Sequence, residues 1–154
     1  MKLWINTLLL TMLCCQGKTL AAEDYADLTL TEGALQQNNW QVLQRFAPRY
    51  PEKDAIKGKE GCAVVEYVIT PQYELKDIKV ITATGDRFAK QARQVVTKWK
   101  WSDLPSGILQ QAIKTRTQFQ FCIEDGSGRC QSGAAGENVQ CKGEDSIWSV
   151  GVRQ

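Results

Sequence analysis

Six cysteines and no histidine set the limits on what chemistry this 154-residue chain can perform. Four of the cysteines, Cys62, Cys122, Cys130 and Cys141, lie in the body of the chain; Cys14 and Cys15 close an N-terminal apolar block. No two of the four stand at Cys-x-x-Cys spacing, so the ligand pairs of a structural zinc site are missing and no metal is expected. The lack of histidine removes His-based triads, the commonest general base and most catalytic zinc sites. Acids such as Glu66, Glu74 and Asp77 are scattered and read as solvated faces, without the paired spacing that acid–base work needs. We therefore expect no enzyme, no catalytic residue, no cofactor and no small-molecule substrate. In an oxidising compartment four cysteines make disulfides, with three connectivities open; free or buried thiols are the other reading.

The compartment is read from the N-terminus. "MKLWINTLLLTMLCC" has one lysine and then an apolar block from Leu3 to Cys15, about half of what a membrane-crossing helix requires. Small residues at Thr19 and Ala21 suit a cut, so residues 1–21 are expected to be a signal peptide and the protein periplasmic. An uncleaved anchor in the inner membrane is the alternative. Removal of Lys2 and Lys18 from 19 basic residues leaves 17, against 17 acidic ones. A chain of near-zero formal charge offers no electrostatic case for nucleic acid or for an anionic membrane.

The elements that would position these cysteines follow from hydrophobic period. Residues 22–44 form a polar N-terminal segment, and in "TEGALQQNNWQVLQRF", which runs just past it, Leu35, Val42, Leu43 and Phe46 stand at loosely helical spacing. "GCAVVEYVIT" puts Ala63, Val65, Tyr67 and Ile69 on one face of a strand, with Cys62, Val64, Glu66 and Val68 on the other. "PQYE" turns the chain into a second strand, "LKDIKVITAT". Phe88, Ala92, Val95 and Trp99 then make a helical stripe, with Asp86 expected at the N-cap. "TRTQFQFCI" alternates again with Thr117, Phe119, Phe121 and Ile123 in phase. The expected fold is α+β, a small three-stranded antiparallel sheet with one main helix on one face, in the order β-β-α-β. Residues 125–154 are glycine-rich and too polar to order themselves, and Cys130 and Cys141 would staple them; "IWSVGV" at the end could add a short strand.

In their order these pieces resemble the TonB C-terminal domain family. "PRYP", a short basic helix, "EG" and an alternating strand come first, then "DIKVITATGD", "FAKQARQVVTKWKW" and "TQFQF". The likeness spans residues 45–124. It implies that Pro48, Arg49, Tyr50 and Pro51 form an extended lead-in bordering a docking groove. It also implies that the last strand is an exposed edge, so that Thr115, Arg116, Thr117, Gln118, Phe119, Gln120 and Phe121 would receive an extended peptide by strand addition. Arg116, Gln118 and Gln120 would face the guest's side chains. The family's strand order implies a Cys62–Cys122 bridge, leaving Cys130–Cys141.

The partner so implied is a protein, the TonB-box segment of an outer-membrane receptor, and the role is a periplasmic interaction module in or near receptor transport. A homodimer through edge pairing is a further expectation. Departures from an energy transducer are plain: no membrane helix of full length, no proline-rich spacer, Tyr73 near the usual hairpin glycine, and Ala47 where a glutamine precedes "PRYP". The alternatives are a membrane-anchored transducer, or a disulfide-stabilised exported inhibitor or enzyme.

Overall fold

A computed structural model of the chain describes residues 25–132 and 135–153; the expected signal peptide, 1–21, lies outside them. Strands β1 (Gly61–Ile69) and β2 (Leu75–Ala83) form the expected hairpin. Helix α1 (Glu52–Ile56) precedes them and α2 (Asp86–Lys98) follows. Strand β3 (Ile113–Glu124) lies antiparallel to β1, with Ala63 opposite Phe119 and Val65 opposite Thr117. A single-turn helix α3 (Arg129–Ser132) and a fourth strand, β4 (Ser146–Val152), complete the chain. The sheet order is β2-β1-β3-β4.

The core forms where the period said it would. Phe88, Ala92, Val95, Val96 and Trp99 pack onto Ala63, Val65, Tyr67, Ile69, Phe119 and Phe121. Asp86 is the first helical residue rather than the cap; Gly85 occupies that place, and the Asp86 charge instead suits the positive end of the helix dipole. Gly61 is required by packing: a Cβ there would lie 2.5 Å from the Phe88 ring and 2.2 Å from Thr84 Oγ1. The polar segment before α1 forms two 3-10 turns, Ala34–Gln36 and Asn38–Trp40. Its glycine and asparagines are poor helix formers, so tertiary contacts through Leu35 and Trp40 decide its path.

Tyr73 stands at the hairpin turn with φ 60°, a left-handed conformation that costs a non-glycine residue energy. Its side chain offsets this strain. The hydroxyl donates to Pro105 O and accepts from Ile108 N, and the ring meets Trp40 edge-on at 6.3 Å.

The end segment "IWSVGV" does add a strand, β4, to a sheet expected to have three strands, all antiparallel. It pairs parallel with β3 from Gln118 opposite Ser146 to Glu124 opposite Val152, making the sheet mixed and four-stranded. The glycine-rich tail is thereby drawn into the fold, with Cys141 and Asp145 fully buried.

Candidate functional site

The rim of β3 is not free. Gln118–Glu124 pair with β4, and at the other end Leu30 bridges Lys114, whose carbonyl accepts from Thr31 N at 2.8 Å. Thr115, Thr117, Gln118, Phe119, Gln120 and Phe121 are all buried. Arg116 is half-exposed and paired with Glu66 at 2.8 Å. The side chains expected to read a guest read the tail instead. Gln118 Oε1 accepts from Asp145 N at 3.1 Å, Gln120 Nε2 donates to Cys141 O at 3.0 Å, and Gln120 Oε1 accepts from Asn138 N at 3.1 Å. Gly143 lets the Gln118 amide in; a Cβ there would sit 1.8 Å from Nε2.

The cysteine pairing is also corrected. The bridges are Cys62–Cys141 and Cys122–Cys130, with Cα separations of 6.0 and 5.7 Å. Cys62 lies opposite Gln120 in the ladder, and Cys122 falls past the start of β1, so the two expected partners are diagonal rather than opposed. The tail crosses their face and brings Cys141 over Cys62. The turn into α3 returns Cys130 to Cys122, 8 positions away. Glu60 lies beside the second bridge, but those sulfurs are already joined. Its carboxylate accepts from Ile123 N at 2.7 Å and pairs with Arg129.

A buried polar network fixes the entry to β4. The Asp145 carboxylate accepts from Arg45, from Gln36 Nε2 at 2.6 Å and from Thr117 Oγ1 at 2.7 Å. Thr117 Oγ1 also shares a hydrogen bond with the Tyr67 hydroxyl at 2.8 Å. Burial pushes the Tyr67 hydroxyl above the ordinary tyrosine range, so it stays a neutral phenol. Arg45 also lies 5.7 Å from the Trp99 ring centre.

The lead-in runs along the helix-side face of β4. Ser149 Oγ donates to Pro48 O at 2.8 Å, and Tyr50 packs edge-on to Phe121 at 5.6 Å and Phe88 at 6.0 Å. Gly151 admits the Tyr50 ring, which a Cβ would approach to 2.8 Å. Pro48 and Pro51 are buried, Tyr50 is half-buried and Arg49 is exposed. Nothing in the sequence paired this segment with β4, although a glycine inside "IWSVGV" is a recognised mark of close approach.

With β3 covered, two sheet rims remain. That of β2 carries Lys76, Asp77 and Lys79, a left-handed Asp77 at φ 48° and two register shifts, which are features that discourage strand pairing. That of β4 carries no charge and no proline within Ser146–Val152. No helix among the described residues is long and apolar enough to cross a membrane.

The family model described as "Gram-negative bacterial TonB protein C-terminal" matches residues 47–123, half of the chain. The solution NMR structure of the Pseudomonas aeruginosa TonB C-terminal domain is 31% identical, with a TM-score of 0.47, over 54% of this chain and 85% of that one. The Helicobacter pylori TonB C-terminal domain is 23% identical, with a TM-score of 0.39, over 47% of this chain and 77% of that one. No curated protein matches.

Proposed function

Because this chain belongs to the TonB C-terminal domain family, we propose that it is a periplasmic protein-interaction module that works in or near receptor-dependent outer-membrane transport. It takes an extended segment of a partner protein as an added strand. The observation that supports this reading is the sheet's outer strand. Among the described residues no backbone hydrogen bond reaches the outward side of β4. Unpaired N–H and C=O groups on such a rim supply the affinity of strand addition, and neighbouring side chains supply the selectivity. The tail that carries this strand follows residue 123, where the family match ends.

The test is a titration of the disulfide-bonded protein with a TonB-box peptide, followed by backbone amide shifts. Saturable shifts along one sheet rim support the reading. No binding at millimolar peptide, together with no co-purifying protein from periplasmic extract, counts against it. The mass of the protein recovered from periplasm tests export: a start near Ala22 supports a released module, and an intact N-terminus supports the anchored transducer.

A further inference from the structure

We infer that the outward face of α2 docks on an anionic phospholipid surface, with headgroups seated in two hollows that flank the helix and Phe46 entering the headgroup layer. The inference does not rest on strand addition.

The near-zero formal charge of residues 22–154 conceals an uneven distribution. Helix α2 turns Phe88, Ala92, Val95 and Val96 to the sheet, so its other side carries Arg87, Lys90, Arg93 and Lys98. Arg87 is engaged by the buried Asp54. Lys90, Arg93 and Lys98 are exposed and make no ion pair among the described residues, and neither does Arg49 beside them. The helix holds one acid, Asp86, in its first turn. A cation near a helix C-terminus has a local reason in the helix dipole, and Lys98 meets it. Lys90 and Arg93 stand in mid-helix, three positions apart, where like charges repel and weaken the helix. An anion from outside the chain offsets that repulsion.

Shape selects the kind of anion. The helix is a ridge between two hollows. One, of about 500 Å³, lies toward β2 and is lined by Val80, Ala89, Lys90, Arg93 and Thr97. The other, of about 390 Å³, lies toward the lead-in, with Phe46, Arg49 and Lys98 around it. Gln94 borders both, and every charged residue that lines either one is a cation. Each hollow thus offers an anionic headgroup two charged partners. Phe46 supplies the apolar group of an interfacial site. It is 44% exposed, and its carbonyl accepts from Trp99 Nε1 at 3.0 Å, which fixes it beside the end of α2. Cations around an exposed aromatic ring suit the boundary between headgroups and acyl chains. Two hollows divided by a ridge match the separate headgroups of a surface, whereas an acidic peptide would follow one continuous groove.

The test is co-sedimentation of the disulfide-bonded protein with vesicles of phosphatidylglycerol and phosphatidylethanolamine, against vesicles of phosphatidylcholine. Capture is expected on the anionic vesicles alone, and about 0.5 M salt should remove most of it. Each cation near such a surface is worth about fivefold in partitioning, so Lys90→Gln with Arg93→Gln should lower capture about 25-fold. Lys79→Gln with Lys142→Gln removes the same charge elsewhere on the surface and should change capture less than about twofold. Phe46→Ser should lower it severalfold and leave its salt dependence unchanged. On the unaltered protein, short-chain phosphatidylglycerol should move the amides of Phe46 and of Lys90 to Lys98, a reading that does not depend on a variant's folding. Equal capture by neutral vesicles, or equal losses in the two double variants, would overturn the inference. So would binding of inorganic phosphate or of a polyglutamate peptide at these residues without vesicle capture, which would assign the hollows to a soluble anion or an acidic protein.

Discussion

Arg45 and Asp145 stand 100 positions apart and meet inside the molecule, where Arg45 Nη1 donates to both carboxylate oxygens at 2.7 Å. One residue stands three positions before the lead-in and the other in the turn that starts β4. The pair therefore ties the segment that precedes the lead-in to the entry of β4. Removing one member leaves a buried charge without its partner, so Arg45→Ala should cost about 3 kcal/mol in urea unfolding. The β4 amides should exchange faster in that variant than in the parent.

The two disulfides should differ in weight. Cys62–Cys141 closes a separation of 79 residues and Cys122–Cys130 one of 8. Loop-closure entropy gives about 4.5 kcal/mol for the first and about 2.5 for the second. Paired serine substitutions followed by denaturant titration measure both, and mass mapping of an unreduced digest identifies the bridges.

Acid should weaken the fold through Asp54. This carboxylate is buried and accepts from Arg87 Nε at 2.7 Å and Nη2 at 2.6 Å. The Arg87 hydrogen bonds hold it below the usual carboxylate range, more than burial raises it. A lowered folded pKa means that the unfolded chain binds more protons between the two values, so stability rises with pH there. The contribution is complete above about pH 4 and is lost as pH falls through the folded value. Asp54→Asn should flatten this part of the urea midpoint profile between pH 2 and 5.

Gly61→Ala should be costly although the position is within a strand. The added methyl would enter the Phe88 ring and Thr84 Oγ1. Overpacking of this kind costs about 1–3 kcal/mol. A lower thermal midpoint with unchanged disulfides would meet the expectation.

Proline at Gln118 tests whether the rim of β3 is covered. On a free edge it would leave the fold largely intact. Here Gln118 N donates to Asp145 O, and the Gln118 side chain accepts from Asp145 N. Gln118→Pro should therefore loosen the tail, seen as faster amide exchange from Ser146 to Val152.

Much of the core was legible because apolar spacing reports which side of an element is buried. Ala63, Val65, Tyr67 and Ile69, and the Phe88–Ala92–Val95–Trp99 stripe, took the places their periods assigned. Gln118 and Gln120 show where that signal stops. Alternating polar residues mark the side away from the apolar core, but do not say whether water or another backbone covers it. Here the tail's own peptide groups cover it. Asp145 was obscured for a similar reason, since an acid in a polar, glycine-rich stretch looks solvated until Arg45 arrives from the far end of the chain. The lead-in at Pro48–Pro51 lies beside β4, whereas the β3 rim expected to be free is occupied.

The two segments that cover β3 also bear on mechanics. Leu30 lies parallel to β3 near its beginning, and β4 lies parallel near its end. Tension between the two ends of the described chain would run along the strand axis, loading several hydrogen bonds in shear instead of opening them one at a time. The covalent tie from β1 to the tail would carry part of that load directly. The added strand thus reinforces the domain along the axis of β3.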